Sequence, residues 1–148
     1  MMYTKDKWLM GILWFVTSCA AFAFEVDFSV LASDAINIMA IASAVYFAAY
    51  AGVQSSEKLA ERLKALDKYL PRKDQQYVFN TYVKCALING FITIVLSSLV
   101  LLVADALKDE GNIIYQLLSA ASLGFMATNF FSMWKIGVFL VNRVGFNR

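Results

Sequence analysis

The residues of this sequence that could do chemistry are hydroxyls, amides and a few charges strung along apolar stretches, with no histidine among its 148 residues. That absence removes the commonest general base and metal ligand, and no grouping of Cys, Asp and Glu has zinc or calcium spacing. No Walker loop, nucleophile elbow, HExxH pair or Gly-rich dinucleotide fingerprint occurs. The seven glycines are scattered rather than gathered into a phosphate loop. An enzyme, a metal site and a bound cofactor are therefore not expected.

What remains is arranged at helical spacing. Ser119, Ser122, Met126, Asn129 and Met133 fall within an arc of about 80° at 100° per residue, and Tyr82, Ala86, Asn89, Thr93 and Ser97 make a second, mildly polar stripe. In a membrane, such side chains either bond to a neighbouring helix or line a wet surface. On the second alternative Asn89, Thr93, Ser119, Ser122 and Asn129 line a pore, with Asp34 and Asn37 at its outer mouth. Asp34 would serve equally as a helix cap at the interface, its carboxylate near the positive helix end; the two roles are compatible. Small residues also recur every four positions, as Ala40, Ala44, Ala48 and Gly52 and as Ala120, Gly124, Thr128 and Ser132. Such ladders let backbones approach closely, either within one chain or between subunits.

A third constellation is basic and aromatic. Lys58, Arg62, Lys64, Lys68, Arg72, Lys73 and Lys84 stand against Glu57, Glu61, Asp67 and Asp74, a net charge of 7 − 4 = +3. A solvated helix face with an ordinary orientation signal accounts for these residues. The alternative is an anion site. Repeated about the axis of a symmetric oligomer, Lys64, Lys68, Tyr69, Arg72, Lys73 and Tyr77 would hold an anionic lipid or a nucleotide by phosphate attraction and base stacking.

The elements that must position these groups follow from hydropathy. The chain is 60% hydrophobic with a mean hydropathy of +0.61, above the roughly 45–50% apolar usage of soluble domains. Four apolar blocks, at about 8–24, 35–53, 83–104 and 113–134, predict an all-α membrane protein with four transmembrane helices in a single domain. The first block carries Ala21-Phe22-Ala23, a pattern compatible with signal cleavage, and an uncleaved helix is the expectation. The second block is expected to continue unbroken from Gln54 to Leu70, with Leu59, Leu63, Leu66 and Leu70 on one face and Pro71 as its stop. With Gln75 to Tyr82 returning, residues 54–82 form a cytoplasmic helical hairpin. Cys19 and Cys85 should lie at different depths and remain unpaired.

Orientation comes from the basic residues: 12 of the 13 lie in the termini and the central segment, and only Lys108 falls in another loop. The positive-inside rule puts both termini and the hairpin in the cytoplasm of a cell whose inner membrane the chain crosses.

Two membrane hairpins flanking a basic helical lobe at Lys58 to Lys73 resemble the small multispanning effectors of bacterial anti-phage systems. The closest similarity is to the Hailong type, in which a membrane channel is paired with a nucleotidyltransferase that makes oligodeoxyadenylate. The resemblance implies a homo-oligomeric ion channel gated by a nucleotide or oligonucleotide, with the enzyme that makes it as a partner beside membrane lipid. Against the pore stands a non-conducting scaffold or accessory subunit whose ladders and stripes only pack helices. A secondary transporter is disfavoured by the lack of an alignable inverted repeat and of an intramembrane charge pair.

Overall fold

The structure, a computed structural model, describes residues 3–67, 74–107 and 112–143, with side chains in the last segment described to residue 142. Its elements are α1 (Thr4–Ala23), α2 (Ser29–Ser55), α3 (Glu57–Leu63), α4 (Gln75–Leu107) and α5 (Ile113–Arg143). Among the described residues the chain is all-helical apart from its turns and one isolated bridge between Leu66 and Asp74.

Three helices, α2, α4 and α5, are long and apolar enough to cross a membrane, a bilayer core needing about 20 such residues. α1 has 20 residues but spends its first turns on Lys5, Asp6 and Lys7, and it is not one of those three. α4 and α5 pack on each other, α2 packs along α4, and α1 packs along α5. The sequence neighbours α1 and α2 thus lie on different partners.

The turn joining them is held locally. α1 ends as the Val26 N–H reaches the Ala21 carbonyl at 2.9 Å, which puts Glu25 at a φ of 49° in the left-handed region. Asp27 then accepts from the Ser29 N–H at 3.0 Å and the Ser29 hydroxyl at 2.6 Å, satisfying a helix-start donor. Tyr115 at the start of α5 donates to the same carboxylate. Asp34 therefore does not cap α2. The helix begins a full turn earlier than the hydropathy block, Asp27 supplies the carboxylate, and Asp34 lies inside the helix.

The expected continuous helix from Gln54 to Leu70 is also corrected. Ser56 adopts an extended conformation, with φ −98° and ψ 103°, and its hydroxyl accepts from the Leu59 N–H at 3.4 Å. A serine at this point competes with the backbone ladder and starts a new helix in a new direction. α3 ends at Leu63, which is fully buried, whereas Leu66 is 68% exposed, so the leucines do not share one seam. Leu70 and Pro71 lie outside the described residues. The Gln75 N–H returns to the Ala65 carbonyl at 3.1 Å, and Asp74 caps α4 through the Tyr77 N–H at 2.7 Å.

The interior forms two clusters. At one end Met10, Tyr46, Val53, Leu63, Phe79 and Ile136 join all five helices; at the other Phe28, Ala32, Ala35, Val100 and Tyr115 tie the α1–α2 turn to α4 and α5. Cys19 and Cys85 are both free thiols.

Candidate functional site

α2 buries Ala35, Met39, Ala42, Tyr46 and Val53 on one side. Opposite them Ser33, Asp34, Asn37, Ala40, Ala44, Ala48 and Gly52 are all exposed, within an arc of about 120° at 100° per residue. Among the described residues, nothing beyond α2's own backbone lies within 4 Å of where a side chain on Gly52 would begin. Of large residues, this arc holds Val30 and Ile41, 74% and 67% exposed.

The outward faces of the other long helices differ in kind. They present Trp8, Ile12 and Phe15 on α1, Phe91, Val95 and Leu102 on α4, and Leu117, Phe130 and Trp134 on α5. Those are side chains suited to lipid. Small residues with an acid and an amide are suited to another helix or to water.

The remaining residues expected to line a pore lie within the chain. Asn89 is half-buried, while Thr93, Ser119, Ser122 and Asn129 are buried. Asn129 is satisfied there: its Oδ1 accepts from the Tyr46 hydroxyl at 2.6 Å and its Nδ2 donates to the Ala86 carbonyl at 3.1 Å. It thus ties α2, α4 and α5 together. Gly90 makes room for it, since a Cβ there would stand 2.8 Å from Asn129 Nδ2. Thr93 and Ser122 donate to the carbonyls one turn back, Asn89 and Leu118, at 2.8 Å each. Ser97 and Ser119 are buried hydroxyls without a hydrogen-bond partner among the described residues.

The small-residue ladder of α5 is likewise internal. Ala120, Gly124, Thr128 and Ser132 are buried, and a Cβ on Gly124 would come within 2.2 Å of Ser18 Oγ and 2.9 Å of Trp14 Cδ1 on α1. Trp14 also meets Phe125 edge-on at 5.8 Å. Trp14 Nε1 and Ser18 Oγ are buried without hydrogen-bond partners among the described residues, so shape rather than polar bonding holds this contact.

Of the candidate anion-binding residues, Lys64 and Tyr77 are exposed on either side of the turn between α3 and α4. Lys68, Tyr69, Arg72 and Lys73 lie outside the described residues.

A polar group that sequence reasoning missed sits beside this turn. Asp6, only 5% exposed, pairs with Lys135 at 2.8 Å and accepts from the Tyr82 hydroxyl. Tyr82 meets Tyr3 edge-on at 6.0 Å, and the Tyr3 hydroxyl donates to the buried Asp67 at 2.6 Å. Lys135 also lies 5.3 Å from the Phe131 ring centre. Asp6 and Lys135 lie just outside the spans expected at 8–24 and 113–134, so this pair leaves untested the expectation of no charge pair within the membrane. Nothing local to Asp6 or Lys135 reports their meeting, because α1 and α5 are brought together only by the fold. Asp6 within an otherwise basic start was the available hint.

Comparison of the chain with family models, with curated proteins and with solved structures finds no match.

Proposed function

We propose that this chain crosses the inner membrane four times, with both termini inside, and assembles through the outward face of α2 into a homo-oligomeric pore without enzymatic activity. The observation that carries the proposal is the contrast between faces. α2 turns Asp34, Asn37 and a ladder of small residues away from its own chain, with Val30 and Ile41 among them, while the outward faces of the other long helices carry bulky apolar side chains without such a ladder and acid. Brought around an axis, the ladder lets copies approach closely, and Asp34 and Asn37 form polar rings at one mouth. A ring of carboxylates favours cations.

The likeness to Hailong-type effectors extends this proposal to gating by a nucleotide or oligonucleotide at the basic lobe, with the enzyme that makes it as a partner in anti-phage defence. Exposure of Lys64 and Tyr77 supports that extension, as does the hydrogen bond from Tyr3 to Asp67, which joins the lobe to α1. A ligand pulling on the lobe would act on the helices through that contact. A non-conducting scaffold has one observation in its favour: Thr93, Ser119, Ser122 and Asn129 are buried within the single chain.

Purified protein in a planar bilayer separates the two. The pore proposal expects cation-selective conductance that loses its selectivity in Asp34→Asn and is abolished by Asn37→Leu. Absence of conductance with the oligomer intact establishes the scaffold instead.

A further inference from the structure

Beside the start of α1, between it, the first half of α4 and α5, lies an open-sided groove of about 250 Å³, lined by Lys7, Gly11, Trp14, Cys85, Asn89 and Phe125 among others. Lys7, Gly11 and Trp14 recur at the spacing that puts them on one face of α1. Gly11 leaves the groove open, because among the described residues a Cβ there would meet nothing within 4 Å beyond α1's own backbone. The volume is below the roughly 300–1,000 Å³ of a closed small-molecule pocket, and the open side suits a chain lying lengthwise.

One end of this trough is cationic. Lys7 is exposed and makes no ion pair among the described residues, because its neighbour Asp6 is occupied by Lys135 and Tyr82. A lysine near the end of a membrane helix extends its ammonium to the level of the lipid phosphates while its stem stays in apolar surroundings. An apolar trough with a free cation at one end matches one class of molecule present wherever this chain is inserted.

We propose that this groove is a binding site for an anionic phospholipid, one acyl segment lying over Gly11 between α1 and α4 and the phosphate meeting Lys7. Lipid tails alone give no preference, since the surrounding bilayer offers the same contacts. Selectivity therefore rests on Lys7. The site stands independently of the pore, needing only that these helices lie in a bilayer.

Trp14 is a built-in reporter. A variant carrying Trp8→Phe and Trp134→Phe retains Trp14 alone, and both replaced residues are exposed. It is reconstituted in phosphatidylcholine vesicles containing brominated phosphatidylglycerol or brominated phosphatidylcholine, and Trp14 quenching is followed against the fraction of brominated lipid. Brominated phosphatidylglycerol should bind about five-fold more tightly, as expected for one lysine at an anionic headgroup. Lys7→Gln should equalise the two lipids, whereas Lys84→Gln, at an exposed lysine outside the groove lining, should leave the preference intact. Gly11→Leu should reduce quenching by both. Equal quenching in the parent, a preference that survives Lys7→Gln, or quenching unaltered by Gly11→Leu would overturn the proposal.

Discussion

On α5, Ala120, Gly124, Thr128 and Ser132 are buried in the chain, with α1 lying against Gly124, whereas on α2 the equally spaced Ala40, Ala44, Ala48 and Gly52 point away from the side that packs on α4. The two ladders have the same period and similar residues, so the difference lies in the neighbours that the fold supplies. Where a helix is present, small residues bring it so close that side chains must be absent: Gly124 has no space even for a methyl group. Where none is present, the same residues leave a smooth strip that lipid tails fill less well than a second copy would. A small-residue ladder therefore marks a helix contact without saying whether its partner belongs to the same chain.

The largest expected effect lies at the far end of the α5 face, one turn beyond Ser132. Lys135→Met leaves Asp6 buried beside Tyr82 without its counter-charge, and removing one partner of a buried pair costs about 3 kcal/mol. Unfolding in mixed detergent should report that loss, and Lys135→Arg should recover part of it. An unchanged midpoint in Lys135→Met would mean that Asp6 and Lys135 are both solvated and that α1 is held by apolar contacts alone.

Gly124→Leu probes the centre of the same face. Its first carbon already collides with Ser18 and Trp14, so α1 must move off α5, at about 2 kcal/mol for overpacking of this kind. Reduced stability should appear in dilute detergent micelles, where copies are separated. Were the loss seen only when copies are assembled, the α5 ladder would belong to the subunit contact and the comparison would reverse.

The smallest effect on folding, and the most informative, is expected from Ala44→Leu on α2. An exposed substitution of this sort changes stability by less than about 0.5 kcal/mol, yet added bulk should keep copies of α2 apart. Crosslinking between chains through a cysteine at Ala48 should fall several-fold while the unfolding midpoint holds. Full crosslinking in that variant would assign the α2 face to lipid.

How far the site could be read from the sequence differs between these regions. Periodicity identified both ladders and the polar stripes because side-chain direction along a helix is a local property. It placed Asp34 and Asn37 on α2 but could not distinguish them from Asn129, which the fold turns inward to Tyr46 and the Ala86 carbonyl. The break at Ser56 did have a local signal, a serine followed by Glu57 at the start of a helix, outweighed in the reading by the recurrence of leucines. Capping chemistry decided the matter, since one hydroxyl satisfied a donor that the continuous helix would have bonded itself.

Composition and hydropathy by themselves determined that this chain is helical and that α2, α4 and α5 have the length and apolarity of membrane spans, because backbone groups in lipid must be satisfied within the segment. The distribution of basic residues likewise needed no fold to be seen. Only the tertiary structure decided that α1 lies on α5 and α2 on α4, that Asp6 finds Lys135, and that one ladder is closed while its counterpart stays open. These are relations between segments remote in sequence. Helical periodicity fixes the direction of a side chain about its own axis, while the identity of the facing surface depends on how every helix is placed at once.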